Sequence, residues 1–330
     1  MTGATHQRPD NGRIAGHHPA LRSMRNAAAR KSGLLLALVG AVMGALLTVT
    51  GPALAADTDW AKVDAALGKA GADQPGDVHK YGLPRTDLHV TLDGVAIKPA
   101  FALGGWLAFR PMGTDAMVMG DLVLTEDEVN PVMARLLANG ITVTALHNHL
   151  LRAQPPTFYM HVAGRGDPVA LAMALREALT AESKTPFGAP AGAPAGAEPL
   201  ALDTKQIDSV LGYRGKANSG VYQFAIARAD TIREGGMTLP PAMGTAIAIN
   251  FQPTANDKAA ITGDFALLAS EVTPVLQALR RNGIEVTALH NHMLNDQPRM
   301  LFVHFWANDD PVQLAKGLRA ALNHVNVAKD

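Results

Sequence analysis

A block of sixty residues occurs twice in this chain of 330 residues, and the duplication constrains the fold more than any other feature. Residues 120–179 align with residues 263–322 without a gap, and 31 of the 60 positions are identical. Weaker matches extend the two copies to roughly 60–182 and 204–328. A repeat of this length is one structural unit made twice, so the sequence predicts two tandem homologous domains.

A tract rich in proline, alanine and glycine separates the two copies, at residues 186–197. Such a composition cannot form a packed element and is typical of semi-rigid spacers. We therefore predict a first repeat domain at 56–182, a protease-sensitive linker at 183–203 and a second repeat domain at 204–330.

The first 55 residues have the form of a secretory signal peptide. A basic stretch between Arg22 and Lys31 precedes an uncharged run at 33–50 and the small-residue ending Ala53-Leu54-Ala55. This order predicts export with cleavage after Ala55, and a transmembrane anchor is the alternative. We therefore expect a periplasmic or extracellular protein without a stable membrane span after cleavage. The chain has no cysteine, so we do not expect it to be lipidated.

The charge of the predicted mature protein differs from that of the whole chain. Removing residues 1–55 leaves 23 Lys and Arg (29 minus 6) and 28 Asp and Glu (29 minus 1), a net charge of −5. A mildly acidic surface without basic clusters argues against nucleic acid as a partner. Without disulfides, an exported protein depends on core burial or bound metal for stability.

Each copy has the hydrophobic pattern of an α+β domain. In the first copy we place a helix between Asn130-Pro131 and Asn139-Gly140, because these residue pairs favour a helix start and stop. A strand at 141–149, a strand at 157–163 and a helix at about 167–181 follow. The order strand–helix–strand–strand–helix predicts an antiparallel or mixed sheet with helices on one face, whose other face the second copy covers. Before this core we expect a short helix near 60–68 and strands around 77–83, 86–92, 95–98, 102–110 and 116–124.

Histidines cluster inside the repeat, where six of the nine beyond residue 55 occupy equivalent positions in the two copies. Strand alternation predicts that His147 and His149 continue the apolar face of Ile141, Val143 and Ala145. Three neutral imidazoles leave a fourth position open on zinc, as in catalytic sites. We interpret the six as two separate sites for a divalent metal, zinc favoured, one in each copy, with buried core histidines as the alternative. They are His147, His149 and His161 in the first copy, and His290, His292 and His304 in the second.

The position of His161 depends on the register of an antiparallel hairpin. Facing residue numbers in such a hairpin sum to a constant. A sum of 308 would place His161 opposite His147, and a sum of 310 would place it opposite His149. A sum of 309 would pair it with Asn148 and abolish the site, and the sequence leaves these registers open.

A glutamate also recurs, as Glu128 and Glu271. Thr125 and Glu128 fit a capping box, but the counterpart of Thr125 is Leu268, whose side chain cannot cap a helix. Capping therefore does not explain both glutamates. We assign Glu128 and Glu271 as candidate catalytic acids, each acting as a fourth ligand or as a general base on metal-bound water. A local backbone or salt-bridge role is the alternative.

Several short motifs run through the first copy: Trp106…Phe109-Arg110-Pro111, Gly120-Asp121, Glu128-Val129-Asn130-Pro131-Val132, Gly140-Ile141, Ala145-Leu146-His147-Asn148-His149 and Pro155…His161. Together they resemble the LppY/LpqO family of exported bacterial proteins, over nearly the whole predicted mature chain. The resemblance implies an exported, duplicated domain without an assigned activity. The absence of cysteine separates this chain from the lipoprotein members of that family.

These features favour a secreted metal-binding protein, whose enzymatic form would be a zinc-dependent hydrolase of an envelope or extracellular substrate. The alternative is a non-catalytic binding module for a small molecule or envelope polymer, with aromatic positions at Tyr159, Phe302 and Trp306. A metal-buffering or structural protein is a third hypothesis. An enzyme needs an open coordination position and a base near it, and the sequence does not decide whether the chain is an enzyme.

Overall fold

The computed structural model describes residues 58–187 and 200–329. The predicted signal peptide and the middle of the predicted linker lie outside these residues. The described part is an α+β protein made of a tandem duplicated domain, as the sequence predicted. Among the described residues, no helix is long and apolar enough to cross a membrane.

The first domain contains a six-stranded antiparallel sheet with the strand order β1-β2-β5-β6-β8-β7. Its strands are β1 (Ala72–Gln74), β2 (Val78–Pro84), β3 (Thr91–Leu92), β4 (Val95–Ala96), β5 (Gly104–Met112), β6 (Asp115–Thr125), β7 (Thr142–His147) and β8 (Thr157–Gly166). Its helices are α1 (Trp60–Leu67), α2 (Pro99–Ala102), α3 (Glu126–Ala138) and α4 (Pro168–Glu182).

The second domain repeats this sheet with the order β9-β10-β13-β14-β17-β15. Its strands are β9 (Lys216–Asn218), β10 (Val221–Ile226), β11 (Arg233–Glu234), β12 (Met237–Thr238), β13 (Ile247–Pro253), β14 (Ala259–Leu268), β15 (Glu285–His290), β16 (Asp296–Gln297) and β17 (Met300–Asp309). Its helices are α5 (Thr204–Leu211), a 3-10 helix (Pro241–Met243), α6 (Ala269–Arg281) and α7 (Pro311–Leu322).

Two local predictions differ from the structure. Helix α3 begins at Glu126, not at Asn130-Pro131, and Thr125 has the extended backbone of an N-cap residue. Pro131 lies inside the helix, where it removes one main-chain donor. Most of the predicted strand at 86–92 is also absent, and only Thr91–Leu92 pairs there.

The two faces of each sheet pack against different parts of the molecule. On β6, Val118 and Leu122 join a buried cluster with residues of α1, α3 and α4. Met117 and Met119 point the other way and join the core of the second domain. The two sheets therefore face each other, as expected from the apolar pattern, with the helices of each domain on the outside.

Each sheet is also covered by a segment of the other domain. We call residues 85–103, between β2 and β5, the first arm, and residues 227–246, between β10 and β13, the second arm. In the first arm, the Lys98 main-chain N–H donates to Gln252 on β13 at 3.0 Å, and the Gln252 amide donates to the Ala96 carbonyl at 2.7 Å. In return, Lys80 on β2 donates to the carbonyl of Ala242 in the second arm at 2.8 Å.

The edge strands β7 and β15 meet through reciprocal contacts. The Thr144 hydroxyl donates to the His292 carbonyl at 2.6 Å, and its counterpart Thr287 donates to the His149 carbonyl at 2.6 Å. Contacts that repeat with the partners exchanged are those of a two-fold axis, so the domains are related by an approximate two-fold. A second reciprocal pair runs from Asn148 to the Thr287 carbonyl (3.1 Å) and from Asn291 to the Thr144 carbonyl (2.9 Å).

Candidate metal centre

The hairpin of β7 and β8 brings the histidines of the first domain to one sheet face. Ala145 faces His161, so facing residue numbers sum to 306 (145 and 161) near the centre. This sum differs from the three alternatives of 308, 309 and 310, but its even parity places His147 and His161 on the same face. In the second domain Ala288 faces His304 in the equivalent register.

A β-bulge around Thr144 separates the apolar part of β7 from its histidine part. The register shifts between Val143 and Ala145, and a one-residue shift moves the side chains that follow to the other face of the sheet. Ile141 and Val143 pack with the helix-side core, whereas His147 points towards the second domain. The predicted continuous face from Ile141 to His149 was therefore wrong.

All six predicted histidines meet in one centre between the two sheets. The expectation of one separate site in each domain was wrong, because the two histidine faces lie opposite each other. The equivalent residues His147 and His290 stack at the middle, with ring centroids 3.5 Å apart. Two flanking stacks follow the two-fold: His149 with His304 at 3.7 Å, and His161 with His292 at 3.9 Å.

Among the described residues, two groups of three histidines are close enough to hold a metal ion. Within each group, one ligand atom per residue lies within 4.8 Å of the others. Both groups contain residues from both domains and share His290. The first is His147, His290 and His304, and the second is His161, His290 and His292.

Main-chain carbonyls orient several of these rings. Nδ1 of His304 lies 2.7 Å from the Gly263 carbonyl, and Nδ1 of His292 lies 3.1 Å from the Gly244 carbonyl. A ring that donates its Nδ1–H in this way carries its lone pair on Nε2, the arrangement found in metal-binding histidines. Nε2 of His292 and Nε2 of His290 are 3.1 Å apart.

Burial keeps the imidazoles of the first domain neutral. It lowers the pKa of His147 to about 3, and the charges of neighbouring histidines contribute to the same shift. The pKa values of His149 and His161 lie well below the usual range, again because of burial first and neighbouring histidines second. Neutral imidazole is the form that binds metals, so these rings are in their binding form at neutral pH.

Buried polar atoms without hydrogen-bond partners concentrate in this centre. Within the described part of the chain, nine buried side-chain nitrogen or oxygen atoms find no partner, and seven of them belong to the centre. Buried polar groups of folded proteins normally have partners, so this concentration needs an explanation. The seven are Nε2 of His147, His149, His161 and His304, Nδ1 of His290, and Oδ1 of Asp121 and Asp264.

Asp121 and Asp264 are members of the centre that the sequence interpretation missed. They occupy equivalent positions on β6 and β14. Asp121 is buried, and the side chain of Asp264 is 14% exposed with its Oδ1 atom buried. Oδ2 of Asp264 is 3.1 Å from Nε2 of His292, and Oδ2 of Asp121 is 3.8 Å from Nε2 of His149. Burial raises the pKa of Asp121 well above its usual range, and the nearby Asp264 raises it further. The available signal was an acid inside an apolar strand, repeated in both copies.

The predicted catalytic acid Glu128 lies in a buried ion pair. Its carboxylate accepts two hydrogen bonds from Arg85, at 2.7 and 3.1 Å, and one each from the main-chain N–H groups of Thr125 (2.9 Å) and Lys184 (2.8 Å). Burial raises the pKa of Glu128, but these bonds outweigh burial and the pKa is lowered. Lys184 belongs to the start of the predicted linker, so that part of it contacts the first domain.

The second copy has the same arrangement. Glu271 accepts two bonds from Arg228, at 2.8 and 3.1 Å, and main-chain bonds from Leu268 (2.7 Å) and Asn326 (2.9 Å). Our objection to capping was wrong, because the donor at Leu268 is its main-chain N–H and needs no polar side chain. Neither Glu271 nor Glu128 belongs to a group that could hold an ion, so their predicted catalytic role gains no support.

Two stretches of the chain, residues 61–181 and 205–324, match the family described as "Domain of Unknown Function (DUF1259)". Together they make up more than half of the chain and correspond to the two structural domains. No curated protein matches the chain.

Solved structures with some likeness to this chain include two microcompartment shell proteins and the protein EtuB. The trimeric shell protein PduB is 14% identical, with 79% of this chain and 96% of that chain covered and a TM-score of 0.20. EtuB from Clostridium kluyveri is 9% identical, with 77% and 90% covered and a TM-score of 0.18. The double-ringed trimeric protein MSM0271 is 9% identical, with 64% and 84% covered and a TM-score of 0.17. TM-scores this low carry no argument about fold, assembly or function.

Proposed function

Since the chain belongs to the DUF1259 family, which is defined by a domain of unknown function, we propose its function from the centre between the two sheets. The protein is an exported metal-binding protein that holds a divalent metal, with zinc favoured, between its two domains. The seven unpartnered nitrogen and oxygen atoms support this proposal most directly. Buried polar groups without partners cost free energy, and a bound cation would offset that cost.

The donor set also favours zinc. It consists of neutral imidazoles and carboxylates without any thiolate, because the chain has no cysteine. Imidazole suits zinc and other late first-row metals, whereas calcium and magnesium prefer all-oxygen sites. Elemental analysis of the purified protein would identify the metal.

Hydrolysis is the second candidate function. A group of three histidines would leave a fourth position of zinc open to water, which supports a zinc-dependent hydrolase. A hydrolase also needs a base, and the carboxylates of Glu128 and Glu271 are already held by arginine and main-chain donors. Metal binding is therefore the function that the geometry supports best.

The alternative function, a non-catalytic binding module, requires a pocket lined by aromatic side chains. Tyr159 stacks on His149 with ring centroids 3.2 Å apart, and Phe302 stacks on His292 at 3.4 Å. Both aromatic rings are buried and cover histidines. This packing favours a closed metal centre over an open pocket for an envelope polymer.

Export is the part of this proposal that rests on the sequence. Cleavage after Ala55 would release a protein whose partner is a small or envelope-derived ligand, a setting that the resemblance to the LppY/LpqO family also supports. N-terminal sequencing of the exported protein should begin at Ala56. A membrane-bound form that retains residues 24–55 would contradict cleaved export.

Metal binding is tested on the full chain. After a chelator has removed bound metal, dialysis against zinc should restore it, and a variant that combines His147→Ala with His290→Ala should bind far less. His89→Ala and His324→Ala are matched controls, because both histidines are exposed and lie outside the centre. Unchanged zinc content in the double variant would leave the six residues as core histidines.

A further inference from the structure

The centre contains more donor groups than one metal ion can use. Six imidazoles and the carboxylates of Asp121 and Asp264 supply eight side chains, whereas zinc in proteins almost always takes about four ligands. The approximate two-fold also makes every donor twice. A set of eight donors in two equivalent halves matches two four-ligand sites.

One of the two groups, extended by an aspartate, and its two-fold counterpart divide these donors into two sets that share no residue. One set is the group of His161, His290 and His292, extended by Asp264, whose Oδ2 is 3.1 Å from Nε2 of His292. Nε2 of His290 is also 3.1 Å from Nε2 of His292, so the first set is already compact around His292.

The two-fold counterpart of this set is His304, His147 and His149 with Asp121. Ligand atoms of His147 and His304 lie within 4.8 Å of each other. His149 stacks on His304 with ring centroids 3.7 Å apart, and its Nε2 is 3.8 Å from Oδ2 of Asp121. The distance between histidine and aspartate is 3.8 Å in this second set and 3.1 Å in the first. The second set is therefore wider by 0.7 Å at its carboxylate.

Charge supports the same division. Asp121 and Asp264 each have a buried carboxylate oxygen without a partner, and each carboxylate lies beside a histidine of the centre. Buried charges in proteins are paired or coordinate metals. Two divalent cations, each beside one carboxylate, would compensate both acids and provide partners for the unpartnered oxygen and nitrogen atoms.

We propose that the centre binds two zinc ions, each held by three histidines and one aspartate. One ion is held by His161, His290, His292 and Asp264, and the other by His304, His147, His149 and Asp121. Each site takes one histidine from the opposite domain, so each ion links the two domains. This inference rests on the proposed metal-binding function and adds its stoichiometry and its carboxylate ligands.

Zinc stoichiometry of the full chain tests the inference. Equilibrium dialysis should give two zinc ions per wild-type chain and one in each of the variants Asp264→Asn and Asp121→Asn. Asp309→Asn is the matched control, because Asp309 is exposed and lies far along β17 from the histidines. Circular dichroism of the zinc-free variants establishes that each one folds.

The possible outcomes separate the inference from the function it rests on. One zinc ion per wild-type chain would overturn the two-ion centre and leave metal binding intact, and no zinc would overturn both. Two ions in both aspartate variants would exclude the carboxylates as ligands. If a variant does not fold, titration of the wild-type chain with Co²⁺ decides: saturation of the visible absorption at two equivalents supports the inference, and saturation at one equivalent contradicts it.

Discussion

The molecule contains two kinds of buried polar site, and the duplication makes each kind twice. Around Arg85 and Arg228, each charged group meets an opposite charge or a main-chain partner, and one buried atom, Nε of Arg228, has no partner among the described residues. In the histidine centre, seven buried atoms have no partner among the described residues. Burial and repetition are common to both, so neither property distinguishes a structural site from a binding site. The number of unpartnered atoms makes that distinction: one around the two arginines and seven in the histidine centre.

The largest expected effect concerns the ion-pair site around Arg85. Arg85→Met leaves the carboxylates of Glu128 and Asp87 without their cation, and losing one partner of a buried ion pair costs about 3–5 kcal/mol. Urea denaturation should show this loss in the free energy of unfolding. Arg135→Met is the control, since the pair of Arg135 with Glu182 is partly exposed and such pairs contribute about 0–1 kcal/mol. Equal losses in the two variants would remove the contrast.

The histidine centre should respond to metal instead. Zinc at 100 times its dissociation constant should raise the free energy of unfolding by about 2.7 kcal/mol for each ion bound, because it binds the folded chain. Thermal unfolding with and without zinc measures the gain. The variant with His147→Ala and His290→Ala should lose it, whereas Arg85→Met should keep it. A zinc response that depends on Arg85 would mean that the two sites are not independent.

Acid should weaken the ion-pair site around Arg85 by protonating Glu128, and so lower the free energy of unfolding. Its folded pKa lies below the ordinary value of 4.5, so its contribution is fully present above pH 4.5 and is lost as pH falls through the folded pKa. One proton contributes a slope of up to about 1.4 kcal/mol per pH unit. Glu128→Gln should flatten this part of the stability curve, and the exposed Glu177→Gln should not. Identical acid limbs in wild type and Glu128→Gln would contradict this role.

The smallest effect concerns the bonds between the edge strands. Thr144→Val removes the hydroxyl that donates to the His292 carbonyl, at an expected cost of about 1 kcal/mol. Thr287→Val should cost the same, because the two bonds are equivalent. Thr180→Val, on an exposed helix position, is the control, with an expected change within about 0.5 kcal/mol. A clear difference between Thr144→Val and Thr287→Val would argue against equivalent halves.

Much of the fold could be predicted from the sequence, because the repeat and its hydrophobic periods are local signals. The strands that carry His147 and His161, and the helix that follows them, lie within a few residues of their predicted positions. The bulge at Thr144 could not be predicted, since it depends on pairing with β8 and on the contact with His292.

The centre was predicted in its histidines and missed in its architecture. His-x-His spacing indicated ligands, but spacing within one copy says nothing about how two copies face each other. Asp121 could not be assigned to the centre from the sequence, because its position in a strand does not reveal that the carboxylate is buried. The repetition of Glu128 suggested a catalytic role, but its contacts with Arg85 place it in a structural ion pair.

The exchanged arms determine what half of this molecule could do. A chain with one repeat would leave its sheet uncovered and would contain only three of the six histidines. The same contacts could then form only in a symmetric homodimer, with an isologous interface on its axis. The tandem chain is such a dimer in one polypeptide, and its halves need to complement each other without being identical. That freedom accounts for differences such as Tyr159 in one half and Phe302 in the other, each stacked on the equivalent histidine.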